Sequence, residues 1–175
     1  LPEMSHRPPT AASSEYLKGC LMQSAIDATR LDLEFVAFCT GGQNFSLDIS
    51  QVREIRRWSP VSSLPHSPEE VLGVMNLRGS VIPIYDLAAR FGLPRTPHNE
   101  RNVVVVAAHG GKTLGLLVES VSEILSVKNE DIQTPPDTRG DSGRQAITGI
   151  ITTDEGMSRV IDLGAVIGFG GKAPQ

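Results

Sequence analysis

Most of the residue types that announce an enzyme, a secreted scaffold or a membrane protein are scarce here. Only two cysteines, Cys20 and Cys39, occur in 175 residues, which is too few for a disulfide framework. Two reduced thiols in cytoplasm is the simpler reading. No apolar run approaches the ~20 residues that span a bilayer. No charged-then-apolar leader precedes a cleavage site. A cytoplasmic protein without direct membrane insertion is expected. Sixteen basic against twenty acidic residues leave a net charge of −4, so the strong positive field of a nucleic-acid surface is missing. The four histidines, His6, His66, His98 and His109, have no metal-ligand spacing. The glycine pairs stand at turns without a following helix and basic residue, so they are poor phosphate loops. No cofactor is expected.

What the chain does have is a dense β signal around Gly73–Leu87. Two apolar runs, Val74–Leu77 and Val81–Ile84, flank Arg78-Gly79-Ser80, a connector of hairpin length. Strand alternation puts Val74, Asn76 and Arg78 on one face, with Arg78 at the hairpin rim. Pro83 lacks an N–H, which predicts an edge strand or a bulge. Asp86 opens a short helical stretch, Leu87–Phe91, ended by Gly92 and Pro94.

Residues 1–14, with Pro2, Pro8 and Pro9, read as a disordered lead-in, and Leu17, Leu21 and Ala25 suggest a short helix between Glu15 and Asp32. Glu34–Cys39 and Phe45–Ile49 read as strands about a Gly41-Gly42 turn. Ser50 is placed to cap a short helix over Gln51–Arg57. Glu69–Leu72 reads as one helical turn. Residues 93–102 form a polar connector and the best internal boundary.

Beyond that connector the pattern returns. Gly41/Gly110, Phe45/Leu114, Leu47/Leu116, Ile49/Val118, Val52/Val121, Glu54/Glu123 and Ile55/Ile124 are each 69 apart. Gly73/Gly149, Asp86/Asp162, Leu87/Leu163 and Gly92/Gly168 are each 76 apart. The difference is a seven-residue loop insertion between Gln133 and Gln145. Repetition at fixed spacing signals repeated units. The expected fold is mainly β: two similar small five-stranded barrels packed together, with short helices. The organisation is an N-terminal extension over 1–33, a folded part over 34–168 with sequence copies 34–97 and 98–168, and a tail over 169–175. Each barrel alone is marginal at this size, so the two pack on each other and leave a groove.

Val52-x-Glu54-Ile55, Leu64-Pro65-x-x-Pro68, Gly73-Val-x-Asn76-Leu77-Arg78-Gly79 and Pro83-x-x-Asp86-Leu87 together resemble the bacterial chemotaxis coupling proteins, the CheW family. The resemblance implies SH3-like barrels, no catalysis and an adaptor role in a chemosensory array. One surface would hold the regulatory domain of the chemotaxis histidine kinase, and another the cytoplasmic tip of a chemoreceptor. It also implies that Glu54 and Arg78 lie close together near the receptor groove. The expected partner-binding set is Val52, Glu54, Ile55, Arg57, Trp58, Gly73, Asn76 and Arg78. Arg57-Trp58 stands where the family often has glycine, which alters the surface beside that groove. The duplication is also compatible with exchange of a strand between the barrels, so residue 97 is a boundary of sequence.

Other readings of the same residues are weaker. Glu54 and Arg78 would be an ordinary surface ion pair on composition alone. Yet Glu123 has no matching arginine, so the pair belongs to one copy, which suits a site better than scaffold symmetry. Asp86 and Asp162 invite an aspartic-dyad reading, but an Asp before Leu at a helical turn is ordinarily a cap. Cys39 lies in an apolar strand with no base nearby in sequence. Trp58, the only tryptophan, suits an interface anchor and a core position equally. Within the adaptor class, a pilus-motility or biofilm system is an alternative to flagellar control. A small-ligand-binding barrel is the alternative outside it.

Overall fold

The computed structural model describes residues 32–136 and 144–168. The expected lead-in, all but the last residue of the expected N-terminal helix, the tail and most of the predicted insertion lie outside them. Eleven strands are described: β1 Leu33–Thr40, β2 Gln43–Asp48, β3 Val52–Arg57, β4 Val71–Leu77, β5 Ser80–Asp86, β6 Val103–His109, β7 Lys112–Val118, β8 Ser120–Val127, β9 Ile132–Gln133, β10 Ile147–Thr153 and β11 Gly156–Ile161. Two short helices follow β5 and β11: α1 Leu87–Arg90 and α2 Leu163–Gly168.

The strands form two sheets, ordered β8-β1-β2-β11-β10-β9 and β3-β6-β7-β5-β4. Apart from the two-residue β9, the orders are the same under the two sequence offsets, and the register agrees residue by residue. Glu54 faces Val106 as Glu123 faces Ala37, and Ile84 faces Gly115 as Val160 faces Ser46. Even the bulges match, one at Arg53 and Ser122 and another at Leu72 and Thr148. The exchange between repeats is reciprocal. Strands β1 and β2 pair with β8 and β11, while β6 and β7 pair with β3 and β5. The mainly β, two-unit fold read from the sequence is present; the second sheet has five strands and the first has six.

Neither hydrogen-bond ladder runs full circle. In the second sheet, residues 58–62 cross the gap. The Trp58 N–H donates to the Asn102 carbonyl, and Ser62 exchanges two bonds with Val74 (3.0 and 2.8 Å). Gly73 makes this approach possible: its φ is +150°, and a β-carbon there would overlap the Ser62 carbonyl oxygen. Its mate Gly149 also lies close to a neighbour, but there a β-carbon would meet the Ile132 side chain of β9.

Three apolar clusters follow the pattern. The largest lies between the sheets and joins Phe38, Phe45 and Leu47 to Val105, Leu114, Leu116 and Val118, closed by Leu87, Leu163 and Val166. Each sheet then has its own smaller core, one around Phe35, Ile151 and Val160, the other around Met75, Ile82, Ile84 and Val106. Fully buried Leu and Ile side chains contribute roughly 1.5–3 kcal/mol each, so the shared cluster couples the units energetically. Arg90 reinforces the joint: its Nε donates to the carbonyl of Val166, its own repeat mate, at 2.9 Å.

Three local expectations are corrected. Residues Val52–Arg57 are strand β3, not helix, and only Ile49–Gln51 is helical, as a 3₁₀ turn. A seven-residue segment gains few helical bonds, whereas pairing with β6 satisfies its backbone. Glu69-Glu70 is a turn entering β4, not a helix. Strand β5 is internal, not an edge. Pro83 is tolerated because its partner Val74 spends its bonds on Ser62, and pairing with β7 starts only at Ile84.

Candidate partner-binding site

Leu77 and Ser80 pair directly, leaving Arg78-Gly79 as a two-residue hairpin loop. Their φ values, +51° and +89°, are those of a type I′ turn, whose twist suits the flanking strands. A positive φ is costly for arginine. Asn76 supports it by accepting a hydrogen bond from the Gly79 N–H through Oδ1 at 2.9 Å.

This turn aims Arg78 across the gap between the two edge strands of the second sheet. Its Nη2 lies 2.9 Å from Glu54 Oε2 on β3. Arg56 Nε approaches the other oxygen, Oε1, at 3.5 Å. Glu54 is largely covered, with 21% of its side chain exposed, while Arg78 is 84% exposed. The carboxylate is thus fixed on the sheet and one face of the guanidinium is presented to solvent. Ile55, next to Glu54, is 47% exposed, and Val81, just past the turn, is 66% exposed. Apolar side chains flanked by a held arginine suit protein recognition better than small-molecule chemistry.

The structure gathers Glu54, Asn76 and Arg78 into one connected cluster, with Ile55 and Arg57 exposed on the same strand. The other expected residues have structural positions. Val52 packs on the shared core, and Gly73 is buried beneath Ser62. Trp58 is half-buried against the second sheet's core, its ring 5.1 Å from that of His98. Arg56 is the residue that sequence reasoning missed. A helical reading of 51–57 hid the strand alternation that places Glu54 and Arg56 on one side.

The paired aspartates do not form a dyad. Asp86 is buried, and its oxygens accept from the Ala88 N–H (3.1 Å), the Thr96 N–H (3.0 Å) and the Thr96 hydroxyl (2.8 Å). It caps α1 and clasps the connector. Asp162 is exposed and accepts from the Ala165 N–H. Cys39 donates its thiol to Glu119 at 3.6 Å; burial, then the Glu119 charge, push that thiol up from its ordinary range. Among the described residues, no group of three or more His, Cys, Asp or Glu is placed to hold a metal ion. No helix among them is long and apolar enough to cross a membrane.

Comparison with known proteins agrees with this architecture. The CheW-like domain model matches residues 34–169. The chain is 47% identical over 135 residues to the "Probable chemotaxis protein CheW" of Rhizobium etli, covering 77% of this chain and 87% of that one. It is 30% identical over 147 residues to the chemotaxis protein CheW of Klebsiella aerogenes, covering 84% and 89%. Among solved structures, the scaffolding protein TtCheW of Thermoanaerobacter tengcongensis superposes with a TM-score of 0.69 at 30% identity, over 75% of this chain and 85% of that one. The chain belongs to the CheW-like domain family.

Proposed function

We propose that the protein is a non-catalytic adaptor of a chemosensory array, coupling chemoreceptors to a histidine kinase through binding surfaces alone. Residues 34–168 form its CheW-like domain, residues 1–33 an extension and 169–175 a tail. It works in the cytoplasm against membrane receptor arrays and needs no cofactor.

The observation that carries this reading is the asymmetry of the Glu54–Arg78 pair. Two repeats share strand order, bulges and register, yet among the described residues only one holds a glutamate–arginine pair at its gap. At Arg78's place in the repeat the other copy has Asp154, and at Glu54's place it has Glu123. Packing alone asks for no such difference, whereas a dedicated partner surface does. Glu54, Ile55, Asn76 and Arg78 are assigned to the tip of a receptor's helical hairpin, and Arg57 with Trp58 tunes the choice of receptor. Affinity comes from the exposed apolar side chains, and the ion pair sets register.

Titration calorimetry with a cognate receptor hairpin and with the kinase regulatory domain, singly and then together, tests this. Binding of both partners at once is expected. A chain that binds neither, or only one at a time, contradicts the coupling role.

A further inference from the structure

The two units close their shared core with equivalent helices, yet the residues at the joint differ in kind. Arg90 ends α1 and Glu70 leads into β4; their repeat mates at 76 are Val166 and Ala146. Val166 and Ala146 are buried and belong to the shared apolar cluster. Arg90 and Glu70 are an ion pair at the equivalent place. Nη1 lies 2.6 Å from Oε1, and only 8% of the arginine side chain is exposed. The fold thus closes the same corner twice, once with two apolar side chains and once with opposite charges.

Stability does not explain the charges. Taking an ion pair out of water is costly, and well-packed apolar residues commonly replace one without loss. Ala146 and Val166 fill that place in this chain. What the ion pair adds is direction. Glu70 is fixed in its own unit, because its carbonyl accepts from the Asp86 N–H at 2.8 Å. Its carboxylate holds one nitrogen of the guanidinium, while Nε donates to the Val166 carbonyl of the other unit at 2.9 Å. Apolar attraction is non-directional, so α1 sliding on α2 would forfeit little of it. A guanidinium held by two acceptors at once resists that slide. Strand β4 runs from this corner to the Arg78 turn, so Arg90 holds the root of the hairpin whose tip carries Arg78.

We propose that Arg90 is a positioning residue. Braced by Glu70, it grips α2 and fixes the angle at which the β4–β5 hairpin is presented relative to the first-sheet unit. The inference rests on the adaptor reading for its consequence: a receptor bound at the hairpin can change the output of a kinase held by the same protein only if that angle is kept. Arg90 touches neither partner.

The double variant E70A/R90V gives this corner the residue types of the other repeat and leaves no buried charge alone. Spin labels at K112C in the second-sheet unit and E155C in the first, with C20S and C39S, report the angle as a distance in the free protein. The parent is expected to give one narrow distribution and E70A/R90V a broadened or divided one. An unchanged distribution in a well-folded variant, checked by circular dichroism, overturns the proposal. Calorimetry and phosphorylation assays on the unlabelled chain read the consequence. The receptor hairpin alone and the kinase regulatory domain alone should each bind E70A/R90V within about twofold of the parent. The receptor-dependent change in kinase phosphorylation should fall about fivefold or more. R90K, whose single ammonium keeps the charge beside Glu70 but not the two-nitrogen grip, should fall with it. An undiminished response overturns the proposal, and so does a loss of binding to either partner alone. If the parent binds neither partner the adaptor reading fails, and the spin-label distances still decide for or against the joint.

Discussion

The Arg78 guanidinium lies 2.9 Å from the Glu54 carboxylate, reaching from the β4–β5 turn to the opposite edge strand of the same sheet. Arg78 is mostly exposed, so water screens the pair and its contribution to stability is small. Arg78→Glu is expected to lower unfolding free energy by no more than about 1 kcal/mol. Receptor-hairpin binding should fall much further, since two carboxylates then repel at the proposed contact. Urea unfolding and calorimetry on the same variant separate the two effects. Undiminished binding would remove Arg78 from the site.

Gly73 lies beneath Ser62, where any side chain overlaps a backbone carbonyl. Gly73→Ala is expected to cost about 2 kcal/mol or more, through both the positive φ and the lost Ser62–Val74 bonds. Gly42, with open space around it, should cost less on the same change. Thermal melts of the two variants make the comparison.

Asp86 and Asp162 are repeat mates with unequal work. Asp86→Ala removes a helix cap and two bonds to Thr96 at a buried site, so a loss of about 2–4 kcal/mol is expected. Asp162→Ala removes one exposed capping bond and should cost about 0.5–1 kcal/mol. Denaturant midpoints check this. If the two costs were equal, the burial difference would carry no weight.

Cys39 is held in the thiol form by burial and by the neighbouring Glu119. A thiol pushed up from its ordinary range supplies less thiolate at neutral pH, so alkylation should be slow and should quicken as pH rises. Glu119→Gln removes the nearby charge and should speed it. Timed iodoacetamide labelling, with Cys20 replaced by serine, reads this directly. Rapid labelling of the parent near pH 7 would contradict the assignment.

Much of this was legible in the residues. The offsets of 69 and 76 anticipated the matching registers because repeats that conserve pleat and bulge conserve which side chains face inward. The Glu54–Arg78 pairing came from the family resemblance; local pattern had no means of showing that the two edge strands approach each other. Periodicity misled at Gln51–Arg57. Val52 and Ile55 lie three apart, which suits a helical turn, but the bulge at Arg53 produces the same spacing on a strand. The reciprocal exchange of strands was open as well, since a duplication leaves the same sequence trace whichever copy each strand pairs with. Trp58 fitted core and surface equally, and its half-buried place against His98 explains why.

The most direct test of the coupling role is co-sedimentation of this protein with a cognate kinase and receptor cytoplasmic fragments, reading kinase phosphorylation in the same samples. A ternary assembly is predicted, with a changed phosphorylation rate that R78E largely abolishes. Receptor and kinase that assemble equally well without this protein, or a pellet that excludes it, would contradict the account.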